Sequence, residues 1–216
     1  VASVGEGGLM GLAVHPDFPD PPYVYVMHTY RSGNNLRNRV LRLRHEGDRG
    51  VRDGVILAGI PGGHFHNGGR LAFGPDGLLY ITAGEAFQRH LAQTRSSLGG
   101  KILRVTPDGG IPASNPFPGS PVYSLGHRNP QGLAWDPRTG ALFASEHGPS
   151  GEVGFGAYDE INRIEKGGNY AWPEGVGALE RPGFTDPVIA WPESTTPPSG
   201  MAFHRGDLFV ATLGSE

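Results

Sequence analysis

Four segments of this 216-residue chain repeat one hairpin-like pattern, and that repetition constrains the fold more than any bulk property does. They are "GLAVHPDFPDPPYVYVMHTY" from Gly11, "GRLAFGPDGLLYITAGE" from Gly69, "GLAWDPRTGALFASEHG" from Gly132 and "GMAFHRGDLFVATLGSE" from Gly200. Each places a small residue, an aliphatic and an alanine ahead of a turn, then a second alternating run. The alanines, Ala13, Ala72, Ala134 and Ala202, lie 59, 62 and 68 positions apart. Pro75-Asp76-Gly77 shows the turn chemistry: a preset φ, a side chain that bonds the local backbone, and a residue free to take φ > 0. Alternation at Leu79 and Ile81, and at Leu208 and Val210, predicts the second strand.

An all-β chain with a hairpin recurring at this period predicts a β-propeller, each repeat forming most of a four-stranded blade. "NRVLRLRHE" and "GGKILRVTPDG" supply further strands in the intervals. One helical turn is expected in "AFQRHLAQTRSSL", where Phe87 and Leu91 are four apart. A β-sandwich is the alternative, but it does not predict the repetition. Four repeats do not close a ring of six or more blades, and the chain begins and ends inside a repeat. The expectation is therefore a single propeller domain over residues 1–216, a fragment lacking amino- and carboxy-terminal portions.

Glycine (36) and proline (20) make up about a quarter of the chain, which with apolar periodicity present indicates turns rather than disorder. A net charge of −3 with two lysines, Lys101 and Lys166, gives no basic stripe for nucleic acid. No stretch approaches the roughly 18 to 20 apolar residues of a membrane span, and the amino end "VASVGEGG" is not a signal peptide. Zero cysteines exclude disulfides and thiolate chemistry.

Three loops carry chemistry. In "HNGGRL", His66 is a candidate general base, because an imidazole accepts a hydroxyl proton near neutral pH; the alternative is a solvated or structural loop histidine. His64 is the weaker candidate, and the i, i+2 spacing with no further ligand cluster gives a zinc site little support. "GHRNPQGL" meets the third repeat where "HNGGRL" meets the second. Pro130 biases Asn129 towards extended backbone, so Arg128 and Asn129 are held just before the strand. The guanidinium there binds an anion or ties blades together. In "SEHGPSGEVGFGAYDEINRIEKGGNYAWP", Gly148-Pro149 carbonyls with Asp159 and Glu160 offer the oxygens that Ca²⁺ requires, although surface loops often carry such pairs.

Taken together, "GEGGLMGLAVHPDF", "HNGGRLAFGPDGLLYITAGE", "SLGGKILRVTPDGG", "GHRNPQGLAWDP", "SEHGP", "DEINRIEKGGNYAWP" and "PSGMAF" resemble the soluble pyrroloquinoline quinone (PQQ)-dependent glucose and aldose sugar dehydrogenases, the glucose/sorbosone dehydrogenase family. The resemblance runs in order across nearly the whole chain. It implies a six-bladed propeller and an exported, periplasmic or secreted enzyme. The implied reaction oxidises the anomeric C1 hydroxyl of aldoses to lactones, with PQQ and Ca²⁺ as cofactors and a quinone or dye as electron acceptor. By position, His66 matches the catalytic base. Arg128 and Asn129 match PQQ contacts, the arginine stabilising charge on the quinone oxygen. Gly148 and Pro149 match carbonyl ligands of the cofactor calcium, and Glu160 with the Tyr170 carbonyl matches a second, structural calcium site.

Four positions depart from the family pattern. Glu6 and His147 stand where glutamines lie near the cofactor and the calcium-binding carbonyls. Glu85 replaces the usual aspartate at the strand end, and Gly214 stands where a basic residue contacts PQQ. A non-enzymatic calcium-binding propeller and a calcium-dependent lactonase are the competing readings of the same scaffold.

Overall fold

In a computed structural model, residues 1–151, 154–192 and 195–214 are described, so Ser215 and Glu216 at the end of the fourth repeat lie outside. Fourteen strands form among them: β1 (Leu9–Val14), β2 (Tyr23–Ser32), β3 (Asn35–Glu46), β4 (Arg49–Pro61), β5 (Leu71–Phe73), β6 (Leu79–Ala83), β7 (Lys101–Val105), β8 (Val122–Leu125), β9 (Pro130–Trp135), β10 (Leu142–Glu146), β11 (Asp159–Ile164), β12 (Ile189–Trp191), β13 (Pro198–His204) and β14 (Asp207–Thr212). β1 to β4, β5 to β8 and β9 to β12 each make a four-stranded antiparallel sheet in sequence order, and β13 pairs with β14. These are three propeller blades and the first hairpin of a fourth. The expected helical turn is a 3₁₀ turn, Arg89–Ala92.

Every predicted hairpin forms, and the registers show why the alanines recur. Ala13, Ala72, Ala134 and Ala202 sit opposite Tyr25, Tyr80, Phe143 and Phe209 on the neighbouring strand. A small side chain on the first strand of each blade faces an aromatic on the second, a complementary cross-strand pair. At Pro75-Asp76-Gly77 the turn closes through Gly77 N–H to the Gly74 carbonyl at 2.9 Å, with Gly77 at φ +72°. In the fourth repeat Arg205 and Gly206, both at positive φ, join His204 to Asp207 in a two-residue hairpin turn.

Blade 2 explains how the sheets stack. β6 is buried along its whole length, which hides the alternation that its sequence carries. Alternate residues serve two different interfaces: Leu79, Ile81 and Ala83 join Tyr25, Met27, Val40 and Ile60 of blade 1, whereas Tyr80 joins Leu133, Leu142 and Ala144 of blade 3. β7 divides in the same way, Leu103 and Val105 to one side and Ile102 to the other. Blade 2 is thus the filling of a three-sheet stack, held on both faces by apolar burial. No helix among the described residues is long and apolar enough to cross a membrane.

Ile81 is fully buried in the blade 1–blade 2 core. Ile81→Ala is expected to cost about 2–5 kcal/mol in chemical denaturation, against under about 0.5 kcal/mol for Val51→Ala on the exposed outer strand.

Candidate functional site

The loop between β4 and β5 carries "HFHNGG", and its shape is imposed from two sides. On one side the Glu6 N–H donates to the His64 carbonyl at 2.7 Å, and Glu6 Oε2 accepts the His66 N–H at 2.8 Å. On the other side the Ala86 N–H donates to the His66 carbonyl at 3.0 Å. Gly84 passes so close that a Cβ there would lie 2.1 Å from that carbonyl oxygen, so only glycine fits. Between these clamps His66 adopts φ +54°, a region sparsely populated by residues with side chains. His64, by contrast, is exposed, and no cluster of three or more metal-binding His, Cys, Asp or Glu side chains occurs among the described residues.

The His66 ring is buried, and its Nδ1 is in a short contact with Glu85 Oε1. Glu85 lies two residues after β6 and is 1% exposed; its Oε2 is buried without a partner. The carboxylate fixes the imidazole's orientation and tautomer through Nδ1, which leaves Nε2 as the nitrogen available to a reacting group. Glu85 had no role readable from sequence, and the structure supplies one. Phe87 lies against the same ring at 4.5 Å between centroids.

Blade 3 repeats this device. His127 Nδ1 bonds Glu146 Oε2 at 2.8 Å, again 19 residues apart, and Glu146 Oε1 accepts the Arg128 N–H. His127 is also bonded to Ser124 Oγ at 2.8 Å and stacks on Tyr170 at 4.6 Å, so it is locked from every side. The equal spacing of His66–Glu85 and His127–Glu146 was a signal in the sequence that position-by-position reading passed over. Here the pair serves to hold Arg128, whose Nη1 donates to the His147 carbonyl at 3.1 Å and whose guanidinium lies 5.6 Å from the Trp172 ring.

The two loops meet. Asn129 Oδ1 accepts the Gly68 N–H at 3.0 Å and the Gln131 side chain at 2.9 Å, while the Glu85 N–H donates to the Arg128 carbonyl at 3.0 Å. Glu6, Asn67, Gly68, Asn129, Gln131 and His147 then line one cavity, joined by Leu213 from the fourth hairpin. His147 Nε2 is buried there without a partner, and burial holds this histidine below the usual imidazole range. Gly214 adds no charge beside Leu213, and a Cβ at that position would meet open space.

The four predicted metal-site residues converge on a second cavity. Gly148, Pro149, Glu160 and Tyr170 line it together with Arg128 and Glu146. Asp159 is not open to it in the same sense, because its two oxygens clamp backbone N–H groups of Gly148 at 3.0 Å and Thr196 at 2.7 Å. Glu160 accepts from the Gly177 N–H at 2.7 Å and from Asn162 Nδ2 at 3.3 Å, and the same Nδ2 reaches Glu146 at 3.3 Å. Burial, reinforced by the Glu146 charge, pushes the Glu160 carboxyl up to about 8. Asn162 Oδ1 is buried with no donor. Two close carboxylates and an unsatisfied amide oxygen form an oxygen-rich, cation-seeking donor set.

Lys101, on β7, is fully buried and was not singled out from sequence. Its Nζ donates to the carbonyls of Leu91, Ala92 and Gly99 at 2.7, 2.9 and 2.7 Å. It pins the loop that runs from Glu85 through Phe87 to Gly100.

Comparison with known proteins finds relatives over most of the chain. The sequence model of the glucose/sorbosone dehydrogenases matches residues 1–215. Quinoprotein glucose dehydrogenase B of Acinetobacter calcoaceticus is 38% identical over 83% of this chain and 42% of its own length. An aldose sugar dehydrogenase of Escherichia coli is 34% identical over 95% of this chain and 60% of its own. The PQQ-bound aldose sugar dehydrogenase of Streptomyces coelicolor superposes with a TM-score of 0.89 at 46% identity, covering 99% of this chain and 62% of that one. A Thermus thermophilus oxidoreductase described as a glucose dehydrogenase reaches a TM-score of 0.94 at 57% identity, over 99% and 65%. The chain thus spans about half the length of the curated relatives it matches. With a family match over almost every residue and the fold shared throughout, the chain belongs to the glucose/sorbosone dehydrogenase family.

Proposed function

We propose that the protein to which this chain belongs is a PQQ- and Ca²⁺-dependent aldose dehydrogenase that oxidises the C1 hydroxyl of a cyclic aldose to the lactone and hands the electrons to a quinone or dye. The observation that carries the reading is the His66–Glu85 pair, with Nδ1 committed to a buried carboxylate and Nε2 left for chemistry. Oxidation of a hemiacetal carbon removes a hydride from C1 and a proton from the attached oxygen. PQQ, when bound, supplies the hydride-accepting quinone.

The chain's own residues account for the rest. His66 Nε2 takes the hydroxyl proton, and Glu85 stabilises the imidazolium that results. Arg128 brings a fixed positive charge beside the cavity lined by Glu6, Asn129 and His147, suited to a polyanionic cofactor. The unpartnered His147 Nε2 offers a further polar contact to the same ligand. Glu6 contributes by bracing His66 through its backbone, which accounts for a carboxylate so near that cavity. The Gly148 and Pro149 carbonyls would hold a calcium that polarises the cofactor, and Glu160 with the Tyr170 carbonyl would hold a second, structural calcium whose charge would neutralise the Glu146–Glu160 pair. By family resemblance we place the enzyme in the periplasm or outside the cell.

In full-length protein loaded with PQQ and calcium, His66→Ala is expected to lower kcat by about 10² or more in dye-reduction assays. Near-normal turnover excludes His66 as the base. Glu85→Leu should lower kcat by roughly tenfold or more; an unaltered kcat removes Glu85 from the mechanism.

Calcium makes a separate prediction. A carboxyl whose folded pKa is raised to about 8 favours the folded state at low pH and loses that contribution as pH rises through 8. The calcium-free protein should therefore become less stable between about pH 5 and 8. Added calcium should raise Tm more at pH 8 than at pH 5, since ionised carboxylates bind it. Equal shifts at both pH values, or none, contradict a calcium site at Glu160.

A further inference from the structure

A buried amide on blade 1 is tied into the loop that carries His66. Asn38 lies on β3, paired with Thr29 on one side and Ile60 on the other, and shares its face of the strand with Val40 of the blade 1–blade 2 core. Asn38 and Thr29 are fully buried, and Asn67 is 2% exposed. An amide in a sheet interior is costly unless each of its polar groups is bonded. Here each one is. Thr29 Oγ1 donates to Asn38 Oδ1 at 2.8 Å and itself accepts the Gly8 N–H at 3.1 Å. Asn38 Nδ2 donates to the Pro61 carbonyl at 2.9 Å and to Asn67 Oδ1 at 3.0 Å.

The next link closes the loop on itself. Asn67 Oδ1 accepts the Gly63 N–H at 3.0 Å, and Asn67 Nδ2 donates to the Gly63 carbonyl at 2.9 Å. Residues 63–67 are thereby drawn into a ring that contains His66. The direction of the whole chain of bonds is fixed by its ends. The Pro61 carbonyl can only accept, and Gly63 offers one donor and one acceptor, so turning either amide over would set like groups against each other. The loop also runs hard against β3: a Cβ on Gly62 would lie 2.9 Å from the Arg37 carbonyl carbon and 3.0 Å from Asn38 Oδ1.

The other holds on His66 come from elsewhere, Glu6 from the amino-terminal segment and Glu85 and Ala86 from beyond β6. Asn38 adds a hold from blade 1, so the imidazole is located from three sides. We propose that Asn38 is a positioning residue for the reaction: acting through Asn67, it sets where the His66 imidazole stands relative to the reacting hydroxyl. Asn38 is enclosed and touches no ligand, whereas Asn67 borders the cavity. The proposal rests on the reading of His66 as the base. A catalytic group displaced by about 1 Å loses up to about 10² in rate, so a fully buried amide can govern turnover from blade 1.

The test uses the full-length protein. Loaded with PQQ and calcium, Asn38→Ala is expected to lower kcat roughly tenfold while KM for the aldose changes less than about twofold. In a His66→Ala background the same substitution should change kcat less than about twofold, because the group it positions is gone. Loss of folded protein would instead lower turnover alike in both backgrounds. In cofactor-free protein with isotope-labelled histidine, Asn38→Ala should move the ring-nitrogen resonances of His66 and leave those of His127 in place. If Asn38→Ala does not fold, Thr29→Val takes its place, since it strips the donor from Asn38 Oδ1; Thr29→Ser, which keeps the hydroxyl, should restore native behaviour. Unchanged kcat, equal losses in the two backgrounds, or unmoved His66 resonances overturn the proposal. Absence of PQQ-dependent turnover in the unsubstituted protein removes the reaction instead, and the His66 resonances then decide by themselves whether Asn38 holds the ring.

Discussion

A carboxylate at or just past the end of the second strand of a blade, reaching back to a histidine 19 residues earlier, is the interaction on which the site depends. Blade 2 and blade 3 both use it. In blade 2 the loop that leads into the first strand is long and glycine-rich, in blade 3 it is four residues, and in both the buried ion-pair-like contact converts it into a fixed feature. What differs is the residue placed for work. Glu85 holds His66 itself with Nε2 free, whereas Glu146 holds a fully enclosed His127 and, through the Arg128 N–H, the residue after it. One structural device thus orients an imidazole in one repeat and positions an arginine in the next.

That device works only because the scaffold beneath it is rigid. The strands of blade 2 send alternate side chains into two separate apolar cores, so β6 and β7 are held from both faces. Glu85 follows β6 after Gly84, and Lys101 begins β7. The groups that fix the His66 ring and the Phe87 loop are therefore anchored in the best-packed sheet.

Much of this was legible in the sequence. The hairpins, their turns and the blade pattern follow from the alternation and from the recurring alanine, whose reason is the aromatic opposite it. The three chemical loops were also legible, because Gly, Pro, His and Arg at those junctions have strong local meaning. Less legible was anything that depends on contact between loops distant in sequence. Glu85 looked like a misfit for aspartate until its oxygen was placed on His66 Nδ1. Glu6 looked like an unwelcome charge until it was seen to accept the His66 N–H. That Gly148 and Pro149 would stand beside Glu160 and Tyr170 at one cavity was likewise not readable from their spacing. Lys101 is a lone lysine in a strand, and only its three carbonyl partners disclose its role.

The central claim is that a hydride leaves C1 of an aldose while His66 removes the proton from its hydroxyl. It is tested most directly by steady-state turnover of the full-length protein with PQQ and calcium on an aldose deuterated at C1, with the product analysed for the label. The account predicts PQQ-dependent turnover, slower for the deuterated sugar, and a lactone that has lost the label from C1. Absence of PQQ-dependent turnover, or a product that keeps deuterium at C1, would contradict it.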